Sequence, residues 1–268
     1  MKTRAITAFF FVAVMLASLL LGDYAFTVFF LILSLFSTEE FYKLVRADGL
    51  KPNSVWGWTL VFSIYVPLSL YFLNNAPLSV LLICIPFFVT IVIAELYRDL
   101  NNPFHNIAYT IFGVIFAALP FCFFYALGFM NGEYSWHLPL AFLIMLWASD
   151  TGAYLFGISL GKNRLFERHS PKKSWEGFAG GLFCSLLAGF ILSIYFTELS
   201  LLHWLIVSVI IVVSGTLGDL SESMLKRSLS TKDSGSFLPG HGGLLDRFDG
   251  LLLAAPLVFV YLSFVKLF

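Results

Sequence analysis

Apolar residues in this chain gather in blocks, and each block is of a length that crosses a bilayer. A transmembrane helix needs about 20 mostly apolar residues. Nine stretches meet that length, near 5–21, 24–42, 55–73, 77–95, 107–128, 138–157, 176–197, 201–220 and 250–267. They predict an all-α, polytopic integral membrane helix bundle of about nine transmembrane helices. Lys2 and Arg4 ahead of the first block resemble the start of a signal peptide. The small-x-small cleavage pattern is missing, because Gly22 has Leu20 two positions before it and Ala25 has Asp23. The first helix is therefore expected to be retained.

The polar residues between the blocks test this parse. With the N-terminus placed inside, the inside segments hold Lys2, Arg4, Lys43, Arg46, Lys51, Arg98, Lys162, Arg164, Arg168, Lys172, Lys173, Lys226, Arg227, Lys232 and Arg247. Of the 16 basic residues only Lys266 falls outside. Such a bias follows the positive-inside rule, and a miscount of one helix would destroy it. The expected topology has a cytoplasmic N-terminus, in a bacterial cytoplasmic (inner) membrane.

Composition agrees. Charged residues make up 12% of the chain, against about 25% in ordinary soluble domains, and 31 phenylalanines are too many for one water-soluble core. The formal net charge is zero, so global charge points to no nucleic-acid partner. Cys84, Cys122 and Cys184 lie in apolar stretches at spacings that suit neither zinc nor a disulfide framework.

Two inside segments are long, 158–175 and 221–249, and long polar loops tend to carry function. They divide the chain into an N-terminal scaffold, 1–137, and a C-terminal catalytic region, 138–268. Along the seventh block Gly177, Gly181, Ser185, Gly189 and Ser193 recur every four residues. Small residues at that spacing let helices approach closely. The expected use is packing inside the bundle, with a homodimer seam as the alternative.

Ionisable side chains in or beside a membrane are costly and tend to be functional. Asp150 lies within the sixth block; Asp219 and Glu222 end the eighth, and Asp246 and Asp249 open the ninth. Asp219, Glu222 and Ser223 share a helical face by spacing. Carboxylates of this kind suit Mg²⁺, which is usually held by one or two of them together with substrate phosphates. Lys226, Arg227, Lys232 and Arg247 share a loop with Gly235, Gly240, Gly242 and Gly243, a combination that can cradle phosphate. Lys172 and Lys173 precede a helix start at Ser174, a natural anion site. Each residue also has an ordinary explanation: inside lysines follow from topology or bind anionic lipid, Asp150 could pair with a buried cation, Asp249 and Glu176 could favour a helix N-terminus, and His241 could be a loop hydrogen-bonder.

The 27 residues from Ser223 to Asp249 run Ser, two residues, Lys-Arg, four residues, Lys-Asp, a glycine-containing step, His-Gly-Gly, two residues, Asp-Arg, one residue, Asp. This resembles the phosphatidate cytidylyltransferase (CDP-diacylglycerol synthase) family throughout, and SDTGAY and SPKKSWEG between Ser149 and Gly181 are similar to that family too. The resemblance implies an integral membrane enzyme that converts CTP and phosphatidic acid to CDP-diacylglycerol and pyrophosphate with Mg²⁺, leaving room for a second cation. By position it implies that Asp219 and Asp246 are metal ligands, with Asp249 supporting. Ser223, Lys226, Arg227, Lys232, Asp233, His241 and Arg247 would belong to the nucleotide and phosphate site, beside Gly242 and Gly243. Lys172, Lys173 and Asp150 would complete the substrate-binding set. Two rivals stand against this: a CTP-dependent lipid alcohol kinase, and an ion-coupled transporter with broken helices and inverted repeats.

Overall fold

The computed structural model describes residues 2–231, 234–235 and 242–267, with side chains for residue 7 and for 9–265 within those ranges. Among the described residues the chain forms nine helical rods. They are α1 (Lys2–Leu20), α2 (Asp23–Ala47), α3 (Ser54–Asn74), a 3₁₀ turn (Leu78–Ile83) running into α4 (Cys84–Leu96), α5 (Pro103–Gly113) joined through a π turn (Val114–Ala118) to α6 (Leu119–Leu127), α7 (His137–Leu160), α8 (Trp175–Tyr195), α9 (Leu201–Ser228) and α10 (Leu245–Leu267). The π turn ends two residues before Pro120, whose nitrogen has no proton to donate to the preceding turn.

Seven of these rods are long and apolar enough to cross a membrane. In α1 the apolar segment so measured is shorter, Phe9–Leu20, and α2 carries Glu39, Glu40, Lys43 and Arg46 along its last three turns. The nine expected blocks therefore correspond to nine rods, of which seven meet the length and composition of a span. The all-α polytopic membrane class holds.

Two boundaries differ from the expectation in an informative way. The eighth block was expected to end at 220, but α9 continues to Ser228. The ninth begins five residues earlier than hydropathy suggests, at Leu245. Hydropathy marks where the bilayer ends, whereas helix continues as long as polar side chains find partners, as Lys226 does with Glu222 one turn before it, Nζ to Oε2 at 2.6 Å. Within the 158–175 segment, Arg164–Phe166 (β1) and Ser170–Ser174 (β2) form a two-stranded antiparallel hairpin.

The small residues of α8 are used inside the bundle. Gly177, Gly181, Ser185 and Gly189 are buried. A Cβ at Gly177 would come within 2.8 Å of the Ala153 carbonyl and one at Gly181 within 2.9 Å of the Ser149 carbonyl, so α7 lies directly against this stripe. At Gly189 the neighbour is the Ser208 hydroxyl of α9. α7, α8 and α9 thus form one tightly packed unit, against which α10 and α6 close an aromatic core including Phe121, Phe124, Phe142 and Trp204.

Helix ends are tied differently at the two ends of the bundle. At one end the ties are charged or amide groups: Lys173 to Asp219, Lys226 to Asp246, Arg98 to Glu95, and the Lys51 amide to Asn106 Oδ1 at 2.9 Å. At the other, the Tyr134 hydroxyl donates to the Leu19 carbonyl at 2.6 Å and the Trp204 indole to the Phe196 carbonyl at 3.1 Å. His137 also pairs with Glu198 there.

Candidate active site

The charged end holds a cavity of about 800 Å³ between α1, α7, the β-hairpin, α8, α9 and α10. Its polar wall carries Asp150, Asp219, Asp246 and Asp249 with Lys172, Lys173 and Arg247. Its apolar wall includes Phe11, Trp147, Tyr154, Ile158, Phe178 and Ile211.

Local sequence explains how these side chains converge. Ser174 caps α8, its hydroxyl accepting from the Gly177 amide at 3.1 Å, which ends β2 at the point where Lys172 and Lys173 face the cavity. Glu176, in the first turn of α8, accepts from the amides of Lys162 and Asn163 at 3.1 and 3.2 Å and from the Asn163 side chain at 2.7 Å. It therefore fastens the start of the hairpin to the start of α8, a more specific role than complementing a helix dipole. Between α9 and α10 the close approach rests on Gly218, where any Cβ would strike the Asp249 carbonyl. That contact brings Asp219 and Asp249 together, and Asp150 lines the same cavity.

The ion pairs give each carboxylate a distinct setting. Asp219 accepts from Lys173 Nζ at 2.5 Å and from the Ser223 hydroxyl at 3.3 Å, so Asp219 and Ser223 do share a face. Glu222 is buried and pairs with Lys226. Lys226 bridges Glu222 and Asp246, with both contacts at 2.6 Å. The second oxygen of Asp246 accepts from the amides of Ser234 and Gly243 at 3.2 and 3.0 Å. Gly242 has φ of +86°, a backbone conformation that favours glycine, and a Cβ there would approach Asp246 Oδ2 to 3.0 Å.

The structure therefore brings Asp150, Lys172, Lys173, Asp219, Asp246, Arg247 and Asp249 around one cavity. Ser223, Lys226, Gly242 and Gly243 stand behind it, supporting Asp219 or Asp246. Arg227 points away, donating to the Thr231 carbonyl at 3.4 Å. Lys232, Asp233 and His241 lie outside the described residues. Glu222, singled out with Asp219 in the sequence, joins this machinery through Lys226. One acid that contacts it is absent from the sequence-derived set. Glu40, in α2, contacts Ser234, Leu244 and Leu245 across about 200 residues of chain, and no local signal announces it.

Among the described residues no three Asp, Glu, His or Cys side chains converge closely enough to hold a metal ion unaided. A Mg²⁺ shared with substrate phosphates needs only one or two carboxylates. The donor set fits that demand: hard carboxylate oxygens at Asp219 and Asp246 are each matched by a lysine ammonium, a cationic stand-in at the positions such an ion would neutralise.

The profile of the Cytidylyltransferase family matches residues 2–265. The chain belongs to that family. It is 33% identical over 265 residues to a phosphatidate cytidylyltransferase of Staphylococcus haemolyticus, covering 98% of this chain and 99% of the relative. It is 35% identical over 280 residues to the Staphylococcus aureus (strain COL) protein of the same name, with the same coverage. A shorter match to the Staphylococcus epidermidis protein of that name is 42% identical over 161 residues, 59% of this chain and 60% of the relative. The match extends through the N-terminal half as well.

Proposed function

We infer that this integral membrane protein is a phosphatidate cytidylyltransferase, converting CTP and phosphatidic acid to CDP-diacylglycerol and pyrophosphate. The observation that carries the reading is the near-full-length similarity to proteins of that name. The cavity suits the chemistry independently, since one wall is charged and the other is apolar.

The reaction needs little acid–base help. The phosphomonoester of phosphatidate is already anionic near neutral pH. One of its oxygens attacks the α-phosphorus of CTP; a new P–O bond forms as the bond to the β-phosphate oxygen breaks, and pyrophosphate leaves with that electron pair. The obstacle is to align two polyanions and to stabilise charge on the leaving group. Lys172, Lys173 and Arg247 face the cavity and supply cations for those phosphates. Lys173 pairs with Asp219, and a substrate phosphate would offer its ammonium a second anionic partner. Lys226, held between Glu222 and Asp246, fixes the Asp246 carboxylate in place.

Asp219 and Asp246, with Asp249 in support, are the residues that would hold Mg²⁺. When bound, it would neutralise phosphate charge and stabilise the departing pyrophosphate. The apolar wall gives the acyl chains of phosphatidate a surface next to the charged wall. The bias of basic residues toward one side of the parse supports a bacterial cytoplasmic membrane with the site facing the cytoplasm, where CTP is available.

Isotope position tests the reaction. Purified protein in mild detergent, given phosphatidic acid, Mg²⁺ and CTP labelled at the α-phosphate, is expected to place the label in lipid. Label entering lipid from γ-labelled CTP instead would assign a lipid kinase and remove the cytidylyltransferase.

A further inference from the structure

Glu40 belongs to the half of the chain whose sequence reads as scaffold, yet it is only 6% exposed and its carboxylate faces the catalytic half. Among the described residues it forms no ion pair. A buried carboxylate is costly unless hydrogen-bond donors or a cation satisfy it. Here three donors meet it: the Leu244 amide at 2.7 Å, the Leu245 amide at 3.1 Å and the Ser234 hydroxyl. The amides opening a helix have no partners inside it. Glu40 satisfies two at the start of α10 from a different helix, so α2 determines where α10 begins.

Asp246 grips the same stretch from the cavity side, accepting from the amides of Ser234 and Gly243. Ser234 is thus held twice, by its hydroxyl to Glu40 and by its amide to Asp246. The fit is close, because a Cβ at Gly243 would strike both the Ser234 hydroxyl and the Glu40 carboxylate. A Cβ at Gly235 would stand 3.2 Å from the Glu40 carboxyl carbon. The two acids together clamp both ends of the segment that joins Ser234 to α10.

We propose that Glu40 is a positioning residue for the reaction: by fixing Ser234 and the first turn of α10 it sets the presentation of Asp246, Arg247 and Asp249 to the nucleotide phosphates. This rests on the cytidylyltransferase reading. A cap that only stabilises the bundle would change the yield of folded protein and leave turnover per folded molecule intact. A positioning residue changes turnover itself.

Glu40→Gln separates these roles, since it keeps the size of the side chain and turns one acceptor into a donor facing other donors. Full-length wild-type and variant proteins would be purified in detergent and the folded fraction measured by gel filtration. Turnover of α-labelled CTP into lipid and hydrogen exchange in a peptide spanning Leu244 and Leu245 would follow. The expected result is a loss in kcat of about 100-fold per folded molecule, the scale of an ångström misplacement of reacting groups. KM for phosphatidate should stay within about twofold, as for an interaction expressed in the transition state. Exchange at the two amides should quicken, and Glu40→Asp, which keeps both oxygens, should recover part of the rate. Should Glu40→Gln fail to fold, Ser234→Ala removes only the hydroxyl contact and is expected to lower kcat by about tenfold, the equivalent of one ordinary hydrogen bond. An inactive wild type counts against the cytidylyltransferase reading; an active wild type beside folded Glu40→Gln, or Ser234→Ala, turning over at the wild-type rate overturns the positioning role.

Discussion

The two ends of this bundle are built from different materials. At the end that holds the cavity, helices are joined through carboxylates, lysines and backbone amides, as in the Glu222–Lys226–Asp246 bridge and the Lys173–Asp219 pair. At the opposite end, Tyr134 and Trp204 donate to helix-terminal carbonyls beside packed rings such as Phe26 and Phe196. Aromatic ties suit an interface where one side of a residue is apolar and the other wet. Among the described residues, the His137–Glu198 pair is the one charged tie beside them. Charged ties are costly to assemble near a membrane, and the Lys173–Asp219 and Lys226–Asp246 pairs bring cavity-lining groups that a polyanionic substrate and its cation could engage. The contrast separates residues that hold the bundle from residues that act.

The largest expected effect comes from the cavity carboxylates. Asp246→Asn and Asp219→Asn should each lower kcat by about 1,000-fold, the upper range for one lost electrostatic contact in an active site. The loss would be read per folded molecule after gel filtration. Turnover near the wild-type rate in either variant would remove that residue from the metal set. Chelation by EDTA should likewise abolish label transfer, and added Mg²⁺ should restore it; activity that persists through chelation would detach the carboxylates from a metal role.

Breaking the bridge should shift stability as well. Lys226→Met leaves Glu222 and Asp246 facing each other without their shared cation, at a cost of about 3 kcal/mol for uncompensated charge in a partly buried site. Thermal unfolding in detergent should show a lower midpoint, and the double variant with Glu222→Gln should regain part of it. An unchanged midpoint in the single variant would mean that the bridge carries no structural weight.

These sites differ in how far the sequence reveals them. Block lengths and the placement of lysines and arginines are enough to lay out the rods, because a bilayer imposes length and charge rules that act residue by residue. The Ser223 to Asp249 signature is equally legible, and the structure brings Asp150, Lys172 and Lys173 to the cavity lined by Asp246, Arg247 and Asp249, from α7 and β2. Glu40 was hidden because its partners are backbone amides far along the chain, and an amide has no residue identity to read. Arg227 follows Lys226 directly, yet one residue on a helix turns a side chain by about 100°, and it donates to the Thr231 carbonyl, whereas Lys226 reaches Asp246.

The smallest expected effect lies at the opposite end. Tyr134→Phe removes one hydrogen bond to Leu19 and should cost about 0.6 kcal/mol, typical of such bonds in helical membrane proteins. Thermal unfolding would show that small loss while turnover stays at the wild-type value. A large fall in turnover would erase the distinction between the two ends.

The central claim is that the cavity between α7 and α10 transfers a cytidylyl group to phosphatidate. Its most direct measurement runs wild type and Asp219→Asn side by side with phosphatidic acid, Mg²⁺ and α-labelled CTP, counting labelled lipid and pyrophosphate together. The account predicts equimolar products from the wild type and almost none from the folded variant. A folded wild type that makes neither product, or a variant that makes both at the wild-type rate, would contradict it.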